Sequence, residues 1–146
     1  LGFALAQGLP SPLSSRVERV QVELFDLGAD LATPVQGDEA EVTHFPEAPI
    51  ERLEAEIDQW SATLPPLRHF ILPGGARGGA ALQLARAVCR RAERSAVRLS
   101  RSASLNPFVL RYLNRLSDWL FVAARVANQA AGQTEMRWFP PHQRDQ

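Results

Sequence analysis

The sequence predicts an all-α fold, an antiparallel helix bundle, on three observations. Apolar residues recur at alternating spacings of three and four in several separate stretches, none of these shows the period-two alternation of a half-buried strand, and the connections between them are short to medium in length. With 146 residues and 45% hydrophobic content the chain can bury a core of its own, so residues 1–146 are read as one domain.

Leu1 to Gln7 has no capping residue before it and reads as the tail of a helix whose start precedes the chain. Val17, Val20, Leu24, Leu27 and Leu31 form the stripe of a first long helix that ends before Thr33-Pro34. Residues 34–48 are polar, acidic and proline-containing, the composition of an exposed connection. Ile50, Leu53, Ile57, Trp60 and Leu64 repeat the pattern, with Pro49 suited to an early helical position and Pro65-Pro66 as the stop. A short apolar run, Phe70-Ile71-Leu72, then meets the turn signal Pro73-Gly74-Gly75. Beyond it Ala81, Ala85, Val88, Ala92 and Leu99 are expected to face a core. After the polar break at residues 100–104, Asn106 reads as an N-cap with Pro107 at the first helical position. Val109, Leu113, Leu116, Leu120, Ala123 and Ala127 carry that last helix toward Gly132. Small residues on the two long helices allow a close approach.

Charge is unevenly spread although the net charge is zero. Residues 1–75 hold four Arg against twelve acidic residues, and residues 76–115 hold nine Arg against one. A central segment of that sign is expected to meet an anion, either a phosphate ligand or the acidic half of another copy. All sixteen basic residues are Arg. That excludes a lysine-dependent P-loop within the chain, although codon usage accounts for missing lysine equally well. The lone Cys89 cannot form an internal disulfide, no apolar run is long enough to cross a bilayer, and a cytoplasmic location is expected. No membrane partner is expected. Nucleic acid is not expected either, because the basic residues are not interleaved with exposed aromatics.

Arg86, Arg90 and Glu93 stand at i, i+4 and i+7 and share one helical face, with Val97 below them. On the last helix Asn114 and Asp118 lie one turn apart, beside Arg115. By spacing alone, a solvated face with weak ion pairs explains both groups. Taken together they offer guanidinium forks for phosphate oxygens, with carboxylates and an amide for ribose or base edges, which is the chemistry of a nucleoside triphosphate site. The glycines at 74, 75, 78 and 79 could free backbone amides at a helix start, a weak signal that a plain turn also explains.

Four ordered blocks resemble the propanediol-utilisation type of ATP:cob(I)alamin adenosyltransferase, the corrinoid adenosyltransferases: residues 23–34 (ELFDLGADLATP), 70–75 (FILPGG), 86–94 (RAVCRRAER) and 114–118 (NRLSD). The resemblance runs over roughly Leu1 to Trp138. It implies a ferritin-like bundle of five helices, the first truncated here, assembled as a homotrimer. It also implies transfer of the 5′-deoxyadenosyl group of ATP to the cobalt of cob(I)alamin, with ATP, Mg2+ on the ATP phosphates, and cobalamin taken as substrate. By resemblance Arg90, Glu93 and Asn114 match ATP contacts. Arg86 matches an arginine that pairs with an aspartate across the subunit interface, and Arg115 and Asp118 belong to the same ATP-binding set. Phe70 matches the aromatic residue that crowds the lower face of the corrin; with Arg90 it is the expected catalytic pair. No protein side chain is expected to bind the metal, and a flavin-type reductase is a possible partner.

One departure stands out. The family's Thr-Lys-x-Gly-Asp-x-Gly phosphate loop and its Asp-Glu-Leu run do not occur in residues 1–146, and Leu1-Gly2-Phe3-Ala4-Leu5 resembles the family residues just after that run. The chain is therefore expected to begin about one loop and most of one helix after the family's start. A non-catalytic cobalamin-delivery protein, or a helical module that docks an acidic partner, remains the alternative function.

Overall fold

A computed structural model describes residues 1–33 and 44–143. The order is α1 (Gly2–Ala6), α2 (Leu13–Ala32), α3 (Ala48–Ser61), α4 (Arg77–Leu99), α5 (Pro107–Ala130) and a closing 3-10 turn (Pro141–Gln143). The helical stretch expected at the start is present as α1. The expected exposed connection falls mostly on residues 34–43, outside the described residues. Its end differs from expectation: Phe45 is buried, edge-on to Tyr112 with ring centroids 4.9 Å apart.

Cross-helix partners give the helix directions. Arg16 meets Gln59, Arg19 meets Glu56 and Arg52 meets Glu23, so α2 and α3 run antiparallel. Glu93 meets Asn114 and Ala76 meets Asn128, so α4 and α5 also run antiparallel. The bundle is up-down-up-down, and α5 is its centre, packing on α2, α3 and α4. That position is written in its composition. Val109, Tyr112, Leu113, Leu116, Trp119, Leu120, Ala123 and Ala127 are all buried, more than one stripe of a surface helix would supply. Asn106 caps α5 as expected, its Oδ1 accepting the Phe108 N–H at 3.0 Å. Its amide also donates to Asp30 Oδ2 at 2.7 Å and to the Phe45 carbonyl at 2.8 Å, tying α5 to the end of α2.

Polar groups complete the core. Glu56 accepts from Arg19 at 2.8 Å and from the buried Trp119 indole at 2.7 Å, and Glu23 accepts from the Tyr112 hydroxyl at 2.7 Å and from Arg52. Burial and the Glu23 carboxylate push the Tyr112 hydroxyl far above its ordinary pKa, so it remains a donor.

The inward face of α4 differs from the expected stripe. Leu82, Cys89 and Ala96 are buried and Ala81 with them, whereas Val88, Ala92 and Leu99 are more open and Ala85 is only half-buried. The face that packs on α5 is the one marked by Cys89, whose S–H reaches the Leu113 carbonyl. Val88 and Ala92 instead border an open apolar groove with Phe3, Leu24 and Leu84.

Candidate functional site

Helix α4 carries the arginines, and its partners on α5 orient them. Asn114 Nδ2 donates to Glu93 Oε1 at 2.8 Å across the α4–α5 seam, so the expected Glu93 and Asn114 do come together. Arg90 joins them in a cleft of about 670 Å3 whose other walls are Arg91, Arg94, Val97, Arg98 and Arg101. Among the described residues, no carboxylate lies within ion-pair distance of any of these arginines, nor of Arg77 or Arg86. Unneutralised guanidiniums on one face repel each other and are relieved by an external anion. Beneath them Cys89 donates its S–H to the Leu113 carbonyl at 3.3 Å. Burial, assisted by Glu93 and opposed by Arg90, pushes its thiol up to about 11.

Arg86 lies one turn back from Arg90 and faces a different space. Its guanidinium sits 5.0 Å over the Phe121 ring, and its Nε is buried without a hydrogen-bond partner among the described residues. It lines a second cleft, of about 600 Å3, with Phe70, Phe121, Trp138 and Phe139. Phe70 is 78% exposed and edge-on to Trp138 at 6.0 Å. So open a position is not that of a core anchor. Phe70 projects because its backbone is fixed: Trp138 N–H donates to the Phe70 carbonyl and Leu72 N–H to the Met136 carbonyl, both at 2.8 Å. Ile71 and Arg137 form the antiparallel bridge between them.

Arg115 and Asp118 are placed elsewhere. Arg115 bonds Glu54 of α3 and Asp118 of its own helix, each at 3.1 Å, an exposed triad that does not line the arginine cleft. The glycines of the turn are structural. Gly75 has φ +101°, and a Cβ on Gly75 or Gly79 would collide with the Asn128 side chain. That amide spans the turn, donating to the Gly74 carbonyl and accepting from the Ala76 N–H, each at 3.0 Å. The sequence reading missed Asn128, together with Arg125 and the aromatic partner Trp138. A signal existed for Arg125: it is the one charge in the apolar run Trp119–Ala127, where a buried ion must have a partner. No group of three or more His, Cys, Asp or Glu side chains among the described residues could hold a metal ion.

Residues 1–127 match the family model for cobalamin adenosyltransferase. The chain is 43% identical over 136 residues to the corrinoid adenosyltransferase of Bacillus subtilis (strain 168), covering 90% of this chain and 69% of that protein. It is 44% identical over 125 residues to the corrinoid adenosyltransferase MMAB of Mus musculus, covering 84% of this chain and 53% of that protein. Its fold is similar to that of a phenylalanine-to-alanine variant of the PduO-type ATP:corrinoid adenosyltransferase from Lactobacillus reuteri, complexed with cobalamin and ATP. That similarity has a TM-score of 0.89 at 40% identity and covers 95% of this chain and 78% of that one.

Proposed function

Because this chain belongs to the cobalamin adenosyltransferase family, we propose that it transfers the 5′-deoxyadenosyl group of ATP to the cobalt of a reduced corrinoid. The observation that carries the reading is the row of arginines on α4, unpaired within the described chain and set beside the Glu93–Asn114 pair. Cobalt supplies the electron pair for a bond to C5′, the C5′–O bond breaks, and the triphosphate leaves with that bond's electrons. No proton need move. The protein's work is alignment and charge stabilisation: Arg90 takes phosphate oxygens through its fork, and Glu93 with Asn114 holds a hydroxyl or base edge. Mg2+ arrives on the nucleotide as part of the substrate.

Phe70 sits on the segment between α3 and α4, lines the same cleft as Arg86 and offers an exposed apolar face to the corrin. An aromatic wedge there keeps the axial base off cobalt and eases reduction to the nucleophilic state. Arg86, with a buried Nε lacking an acceptor among the described residues, is suited to an acidic partner from a neighbouring subunit in a homotrimer. Among the described residues no helix is long and apolar enough to cross a membrane, which is compatible with cytoplasmic work beside a reductase.

Steady-state adenosylation by the full-length protein tests this. Arg90→Lys keeps the charge and loses the bidentate fork, so the KM for ATP rises or kcat falls about tenfold or more with an unchanged melting temperature. Wild-type kinetics in both Arg90→Lys and Arg90→Ala would remove Arg90 from the site. Corrinoid binding without any ATP turnover would favour a delivery protein over the enzyme.

A further inference from the structure

The loop that presents Phe70 is held from below by two side chains of α5. Arg125 is only 6% exposed, and it bonds both segments that lead into the short ribbon closed by the Ile71–Arg137 bridge. Its Nη2 donates to the Pro65 carbonyl at 2.7 Å, upstream of Phe70, and its Nε donates to Glu135 Oε1 at 2.6 Å, just before Met136–Trp138. One turn on, Asn128 closes the downstream end at Gly74 and Ala76. Both segments that carry the Phe70–Trp138 pair are therefore fastened to the helix that also supplies Asn114, and among the described residues no other hydrogen bond or ion pair ties the Glu135 side chain to the bundle. A hydrogen bond between a buried guanidinium and a carboxylate is charge-assisted and directional, which suits it to hold one geometry.

We infer that the Arg125–Glu135 pair is the positioning device that fixes the Phe70–Trp138 aromatic face against the corrin. The inference deepens the adenosyltransferase reading and rests on it for its kinetic consequence. The pair touches no substrate and acts through Phe70.

Glu135→Gln is the variant of choice, because it keeps the shape and one hydrogen bond while removing the charge at a partly exposed position. Hydrogen exchange reads the mechanics without reference to activity. The Leu72 and Trp138 amides, which close the ribbon, should exchange about tenfold faster or more, with the interior of α5 unchanged. Unchanged protection at those two amides overturns the inference whatever the enzyme does. Kinetics then reads the function. Adenosylation starting from Co(II)alamin with a reductant should fall about tenfold, while adenosylation of pre-reduced corrinoid and the KM for ATP stay within about twofold. In a Phe70→Ala background the same substitution should add nothing, because two residues acting through one ring are not additive. Equal loss on both cobalt states, or full additivity with Phe70→Ala, overturns the positioning role. If Phe70→Ala alone strikes both states equally, it is the wedge reading of Phe70 that falls, and the exchange result still decides whether Arg125–Glu135 holds the ribbon.

Discussion

Glu23 and Glu56 on the α2–α3 side are buried, and each meets an arginine together with an aromatic donor from α5; the arginines of α4, on the other side of α5, meet no acid among the described residues. The two regions have opposite charge balances in the sequence, which suggests two complementary surfaces. In the fold they are not equivalent. Asp30, Glu47 and Glu54 also direct their charge within the chain, to His44, Arg111 and Arg115. Much of the acidic half is thus compensated within the chain, partly by Arg111 and Arg115 of the basic segment, while the arginines of α4 are left open. Excess charge in a sequence marks a binding surface only where the fold leaves it uncompensated.

The sharpest way to break this contrast is to remove an internal acid. Glu56→Ala leaves the buried Trp119 indole N–H without its acceptor and Arg19 with Glu23 as its remaining acid, and it should cost about 3 kcal/mol in urea unfolding. A loss below about 1 kcal/mol would mean that Glu56 is a bystander and that the two regions differ less than the geometry implies.

A gentler probe is Asp30. Burial pushes its carboxyl up, but hydrogen bonds from Asn106, the Phe45 N–H and His44 outweigh that and hold it below the usual carboxylate range. A depressed folded-state pKa adds stability above the unfolded value of about 4, and that stability is lost as pH falls through the folded value. Stability of wild type relative to Asp30→Asn should be greatest near neutral pH and shrink on acidification below about pH 4. A difference independent of pH would assign Asp30 a neutral packing role.

The smallest effect is expected at Arg115. Its exposed triad with Glu54 and Asp118 should yield about 0.5 kcal/mol or less in Arg115→Ala, and the KM for ATP should stay unchanged, in contrast to Arg90. A marked rise in that KM would bring Arg115 into the nucleotide site and redraw its border.

Periodicity and capping were enough to read the helices, because they are local properties of the chain. The three-four spacing located the four long helices, Pro49 and Pro107 marked two starts, and Asn106 was legible as a cap from its neighbour alone. The adjacency of Arg90 and Glu93 followed in the same way, since one helix carries both. What only the tertiary structure decided depends on residues far apart in sequence. The inward face of α4 runs through Leu82 and Cys89 because that is the face that meets α5, where the Leu113 carbonyl accepts from Cys89, while Val88 and Ala92 border the groove. Glu23 and Glu56 became core residues because Tyr112 and Trp119 reach them from α5. Phe70 became an exposed face because Arg125 and Asn128 hold its ribbon from distant positions on α5. Burial and hydrogen-bond partnership belong to pairs of residues, and pairs across the bundle are set by how the helices pack.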